Sequence, residues 1–239
     1  SWPGDPGQVT SPLVIVGPTA SGKSDVAMAY ARAHAGAEIV AVDAMQVYRR
    51  MDVGTAKPTA ADRAEVPHCL DLAQPNEDFA VAEFVGAAKG ALESIAQRGG
   101  RAVVVAGTGL YLRAVTDPME IPGRWPDLRT ALEERVAAEG PQVLHAELAA
   151  VDPLAASRME PTNERRIVRA LEVVLGSGRP FSSFGPGLDT YPPVSFVQVG
   201  ILWPRAVLSE RIASRVQAMI SAGLVAEVAA LLADPQGLS

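Results

Sequence analysis

Apolar and polar positions change rhythm repeatedly along this chain. Leu13-Val14-Ile15-Val16, Glu38-Ile39-Val40-Ala41-Val42-Asp43 and Arg101-Ala102-Val103-Val104-Val105-Ala106 are nearly unbroken apolar runs. Short runs without polar alternation fit strands covered on both faces. Helical periods lie between them. Val26, Ala27, Ala29, Tyr30 and Ala33 share a face over residues 22–34. Phe79, Val81, Ala82, Phe84, Val85, Ala88, Leu92 and Ile95 do the same over 78–98, where Gly99-Gly100 stops the helix. This alternation predicts an α/β fold, a parallel sheet core flanked by helices.

The pattern shifts near Asp117. Pro118, Pro122, Gly123 and Pro126 interrupt regular structure, and helix spacing then recurs over 127–139, 142–151, 153–158 and 163–175. A Gly/Pro/Ser-rich stretch covers 176–193, and a strand is predicted over 194–202, with helices over 205–220 and 224–232. Strand patterns on both sides of a helical block predict an insertion into one core. The expected division is a first core part over 11–116, a helical insertion domain over 117–192 and a second core part over 193–239.

The chemistry is concentrated where the apolar runs end. Leu13-Val14-Ile15-Val16 leads directly into Gly17-Pro18-Thr19-Ala20-Ser21-Gly22-Lys23-Ser24, a complete phosphate-binding loop (P-loop) followed by a helix. Strand, glycine-rich turn and helix together aim backbone N–H groups at phosphate oxygens. Lys23 supplies a point charge, and Ser24 offers a hydroxyl to Mg²⁺. The next two apolar runs end in Asp43 and in Gly107-Thr108-Gly109. Ligands of open α/β sheets gather at these carboxyl ends. Taken alone, Asp43 could partner a Mg²⁺-bound water, act as a general base or cap a helix.

Composition narrows the classes. The chain has 239 residues, 48% hydrophobic and 20% charged, with a formal net charge of −6. That charge argues against a surface coated for nucleic acid, though not against a local cationic groove. Cys69 is the only cysteine, so no internal disulfide forms, and Leu70 beside it suggests a buried thiol. His34, His68 and His145 show no metal-ligand spacing. The turn-rich start, Ser-Trp-Pro-Gly-Asp-Pro-Gly-Gln, lacks a signal pattern, and no long apolar span occurs. A cytoplasmic protein with no membrane association is expected.

Further signatures are more discriminating than the loop. Asp43-Ala44-Met45-Gln46-Val47-Tyr48 is followed by Met51-Asp52-Val53-Gly54-Thr55-Ala56-Lys57-Pro58. Then come Gly107-Thr108-Gly109-Leu110-Tyr111, Arg165-Arg166-Ile167-Val168-Arg169-Ala170-Leu171-Glu172, and Arg211, Arg215, Met219, Gly223 and Glu227. In this order they resemble the tRNA dimethylallyltransferases, over nearly the whole chain. The resemblance implies transfer of a dimethylallyl group from its diphosphate to N6 of adenosine 37 in tRNA, beside the anticodon. It makes Asp43 the catalytic carboxylate and Thr108 its partner near the departing oxygen. Gly17, Pro18, Thr19, Ala20, Ser21, Gly22, Lys23 and Ser24 would then cradle the diphosphate, with Arg215 or Arg211 adding charge and Ser24 meeting Mg²⁺. Asp43, Ala44, Met45, Gln46, Thr108, Arg129, Arg165, Arg166, Ile167, Val168 and Arg169 match tRNA-contacting positions, with Gln46 a candidate reader of the flipped base.

The sequence departs from the family pattern in places. Ala44 replaces a usual serine, Ala106 a common glycine, and Pro67-His68-Cys69-Leu70-Asp71 is one residue shorter than usual. The family pattern continues with an Ile-Gly-Tyr-type segment and a basic helix, so the second core part is expected to be truncated. Dimethylallyl diphosphate and the tRNA anticodon loop are the expected partners, with no protein partner. The rival readings are a small-molecule or nucleoside kinase, a prenyltransferase acting on free adenine nucleotides, and a non-catalytic RNA-binding protein.

Overall fold

The computed structural model describes residues 11–63, 68–117, 120–185 and 195–238. The leader at 1–8, Pro67, Pro118, Val194 and the end of the Gly/Pro/Ser stretch lie outside them. The chain divides into two compact units, Ser1–Asp117 with Pro193–Ser239, and Pro118–Pro192.

The first unit is built on four parallel strands in the order β2-β3-β1-β4. They are β1 (Leu13–Val16), β2 (Ala37–Val42), β3 (Arg101–Ala106) and β4 (Val197–Gly200). The register sets Val16 against Ala106 and Gly200, and Val42 against Ala106. All four strands therefore end level at the carboxyl edge. Beyond β4, the Ile201 N–H still bonds to the Val16 carbonyl at 2.9 Å.

Both faces of β1, β2 and β3 are covered, which explains their unbroken apolar runs, whereas β4 is exposed along its length. Val14, Val40, Val42 and Val104 pack with Phe84, Ala88 and Ile95 of α2 (Val81–Gln97). Leu13, Ile15, Ile39, Ala41, Val103 and Val105 pack with Ala27 of α1 (Lys23–Ala33). Successive strand residues point to opposite faces, so alternate positions feed different clusters. Helix α2 starts later than its period suggests because the Glu83 carboxylate accepts from the Ala80 N–H at 2.7 Å, fixing the first turn there. A helix not anticipated from the sequence, α3 (Gly109–Thr116), follows β3 and buries Tyr111, Leu112, Ala114 and Val115. Cys69 is buried, and burial pushes its thiol up to about 11.

The second unit is helical: α4 (Pro126–Glu139), α5 (Pro141–Val151), α6 (Pro153–Ser157) and α7 (Glu164–Ser177). A short 3₁₀ turn, Phe181–Phe184, follows. Each of the first three opens on a proline, where the missing N–H costs nothing and φ is already helical. Pro126, which looked like a breaker, is a helix start. Asn163 caps α7 by accepting from Arg166 N at 3.3 Å. Two helices complete the first unit, α8 (Arg205–Ser221) and α9 (Leu224–Leu232). Among the described residues no single helix is long and apolar enough to cross a membrane.

Candidate active site

The level strand ends bring three sequence-distant segments to one edge: the loop after β1, Asp43 after β2 and Gly107 after β3. A cavity of about 810 Å³ opens there. Residues 19–25, Asp43, Gln46, Gly107 and the stretch 55–59 line it, with Arg211 and Arg215 of α8. Gly17 and Pro18 shape the loop without lining the cavity.

The loop is braced through its carbonyls: that of Pro18 accepts from Ser21 N at 3.2 Å and Lys23 Nζ at 3.3 Å, and two others are engaged from outside the loop. Arg211 Nε donates to the Ala20 carbonyl at 2.7 Å, and Trp203 Nε1 donates to the Ser21 carbonyl at 2.9 Å. The Arg211 guanidinium also lies over the Trp203 ring, 5.0 Å from its centroid. Gly22 caps α1 at φ 89°, and the first-turn N–H groups have no intrahelical partners, leaving the positive end of α1 facing the cavity. The buried Ser21 hydroxyl has no hydrogen-bond partner. Trp203 was not legible beforehand; nothing in a lone tryptophan after a strand announces a brace for a distant loop.

Asp43 uses one carboxylate oxygen as a cap and keeps the other toward Gly107. Its Oδ1 accepts from the N–H groups of Met45 at 2.8 Å and Gln46 at 3.3 Å, capping the turn after β2. Its Oδ2 faces Gly107, where a Cβ would sit 2.8 Å from that oxygen and 3.6 Å from Lys23 Cε. A side chain there would press on the carboxylate and crowd the lysine, so glycine keeps both in place. The Thr108 hydroxyl accepts from Ala44 N at 3.4 Å, steadying the same turn and leaving its own proton unused. Burial pulls the Lys23 amine below its ordinary value, the Arg215 charge adds to this, and Asp43 opposes it. Arg215 is thus the arginine coupled to Lys23, while Arg211 is committed to the loop backbone.

The residues after Asp43 are held by a buried network. Lys57, whose side chain is fully buried, donates to the Tyr48 carbonyl, to Asp52 Oδ1 at 3.0 Å and to Asp71 Oδ1 at 2.7 Å. Arg63 bonds both carboxylates from outside. Gln46 Nε2 donates to the carbonyls of Thr55 at 3.0 Å and Ala56 at 3.3 Å. His68 is tied to Glu38 at 2.8 Å and does not line the cavity.

In the helical unit the expected RNA-contacting set splits. Ile167 and Val168 are corrected to core residues, 0% and 2% exposed, because the helix period turns them inward against Leu144 and Leu148. Arg169 pairs with the buried Glu172 at 2.9 Å and donates to the Pro122 carbonyl. Arg129 bonds Glu133 at 2.9 Å and lies 3.7 Å from Glu172. Arg165 and Arg166 are exposed, and no described residue pairs with either.

Comparison with known proteins places the chain in a family. Residues 46–238 match the family described as IPP transferase, and 11–67 match isopentenyl transferase. A tRNA dimethylallyltransferase of Chloroflexus aurantiacus is 49% identical over 92% of this chain and 75% of its own length. One from Kineococcus radiotolerans is 50% identical over 93% of this chain and 72% of its own. The chain belongs to the tRNA dimethylallyltransferase family. Among solved structures, the tRNA isopentenylpyrophosphate transferase of Bacillus halodurans superposes with a TM-score of 0.58 at 38% identity, over 93% of this chain and 70% of that one. A eukaryotic dimethylallyltransferase acting on tRNA shares the fold, with a TM-score of 0.74 at 24% identity, over 93% of this chain and 56% of that one.

Proposed function

We infer that this chain transfers a dimethylallyl group from dimethylallyl diphosphate to N6 of adenosine 37 in tRNA. One observation carries the mechanism: Asp43 keeps a carboxylate oxygen turned toward Gly107, in the same cavity as Lys23 and the phosphate loop. The adenine amine is a weak nucleophile because its lone pair is delocalised into the ring. As nitrogen attacks the first carbon of the prenyl group, the C–O bond breaks and its electron pair leaves with the diphosphate. The amine proton passes to Asp43 Oδ2, which is free to take it. Loop N–H groups, the unpartnered Ser21 hydroxyl, Lys23 and Arg215 receive the charge growing on the leaving group. The base must leave its stack to reach this edge.

Mg²⁺ fits as a companion of the diphosphate. Among the described residues no group of three or more His, Cys, Asp and Glu could hold a metal, whereas Ser24 lines the cavity. Mg²⁺ typically takes few protein ligands and fills its shell with phosphate oxygens and water. Ser24 would hold it, and bound there it would neutralise leaving-group charge.

The depressed Lys23 amine gives a pH signature. Its cation is lost at a lower pH than an ordinary lysine's, so diphosphate affinity weakens as pH rises through that lowered value. Titration calorimetry across pH should show this weakening in the native chain and lose it in Lys23→Met. Identical profiles would place the diphosphate away from Lys23. For RNA, Arg165 and Arg166 are the available cations of α7. Replacing both with alanine should raise the tRNA KM about tenfold, flatten its salt dependence and spare donor affinity. An unchanged KM would make them ordinary surface charge.

The assignment itself is tested by incubating the chain with Mg²⁺, unmodified tRNA and labelled dimethylallyl diphosphate, with ATP phosphotransfer followed in parallel. Label on tRNA supports it. Label on free nucleotide alone, or phosphotransfer without prenylation, overturns it.

A further inference from the structure

Glu227, on α9, has no role in the reaction described above, yet it makes an unusual set of contacts. Its Oε2 accepts from the N–H groups of Asp52 and Val53, each at 2.7 Å, and its Oε1 accepts from Gly54 N at 2.8 Å. Three consecutive backbone donors converge on one carboxylate, an arrangement built to hold an anion. Gly54 is tightly enclosed: a Cβ there would sit 3.1 Å from Leu224 and 3.4 Å from Glu227 Oε1. An Arg50–Asp234 ion pair fastens the same loop to the segment after α9. Residues 52–54 therefore take their position from α9 as well as from the Lys57 network.

Its next two residues act on the cavity. The carbonyls of Thr55 and Ala56 both accept from Gln46 Nε2. With two acceptors facing one end of the amide, the nitrogen must lie there, which fixes the orientation of the side chain. Gln46 lines the cavity, and its Oε1 is the polar group left for a ligand. An acceptor suits a 6-amino purine and opposes a 6-oxo purine, whose oxygen would meet it unpaired. We propose that Glu227 is a positioning residue for adenine selection, holding through the 52–56 backbone the Gln46 amide in the orientation that presents its oxygen. The proposal rests on the tRNA reading above and adds a discriminator to it.

The test uses the full chain and anticodon stem-loop RNAs carrying adenosine or inosine at the target position. Binding of both RNAs and of dimethylallyl diphosphate is measured for the native chain, Glu227→Gln, Gln46→Ala and the double variant. The native chain should prefer adenosine about tenfold, the worth of one hydrogen bond in a desolvated site. Glu227→Gln turns one acceptor into a donor facing N–H groups and should bring that ratio close to one while donor affinity stays within twofold. The double variant should be no worse than Gln46→Ala, because both changes remove the same interaction. Glu227→Asp, which reaches fewer of the N–H groups, should fall between and serves if the glutamine variant folds poorly. A preference unchanged in Glu227→Gln and Glu227→Asp overturns the proposal, as do independent effects in the double variant or a parallel loss of donor affinity. A native chain that binds neither RNA overturns the tRNA reading instead.

Discussion

Asp43→Asn is expected to lower kcat about a thousandfold while the dissociation constant for dimethylallyl diphosphate stays within about twofold. The asparagine oxygen can still accept from the N–H groups of Met45 and Gln46, so the turn after β2 survives. What disappears is the basic oxygen facing Gly107. In the proposed reading donor affinity comes from other groups: the loop N–H groups, Lys23 and Arg215. Asp43→Ala should cost at least as much and will also loosen the turn, so the two variants separate proton transfer from positioning. Single-turnover rates with saturating donor, beside calorimetric donor binding, make the measurement. If donor affinity falls in step with the rate, Asp43 serves the diphosphate or its metal, and the general-base role is wrong.

The second large effect concerns stability. Lys57→Met is expected to destabilise the sheet unit by about 3 kcal/mol, lowering Tm by roughly 6–12 °C. The ammonium is fully buried, and its removal strips three hydrogen bonds at once, leaving the Tyr48 carbonyl without this donor and Asp52 and Asp71 dependent on Arg63. Arg63 remains and is partly exposed, which keeps the loss at the lower end for a broken buried pair. The pH dependence has a definite sign. Burial works to raise the Asp71 carboxyl, but hydrogen bonds from Lys57 and Arg63 together outweigh it and hold it below the usual carboxylate range. A group lowered on folding contributes stability above its unfolded pKa, near 4, and loses it as pH falls through the folded value. Thermal scans from neutral to acid pH should show a steeper decline in the native chain than in Lys57→Met. Equal stability at neutral pH would mean that the network contributes nothing net.

The parts of this protein that were readable in advance share a physical cause. Strands β1, β2 and β3 are buried on both faces, so their composition alone marks them, and the glycine-rich loop betrays a backbone path few other sequences can follow. Helix α3 was hidden because it is short and begins at Gly109, directly after a Gly-Thr pair that also suits a plain turn. Pro126 misled in the opposite direction, since a proline breaks a helix interior but favours its first position.

Side-chain partnerships were the least legible. A helix period places Arg165, Arg166 and Arg169 near the surface, yet it cannot say that Glu172 is buried and claims Arg169. The same period, applied more strictly, would have placed Ile167 and Val168 in the core. Local sequence determined the α/β order, the phosphate loop, the family and the identity of the acidic group at the end of β2. Tertiary structure alone decided that Trp203 and Arg211 hold the loop carbonyls, that Arg215 rather than Arg211 is coupled to Lys23, and that Glu227 grips a loop far away in the chain. The reason is one of range: backbone preference and apolar period are set within a few residues, whereas a charge takes its partner from whatever the fold brings within hydrogen-bond reach.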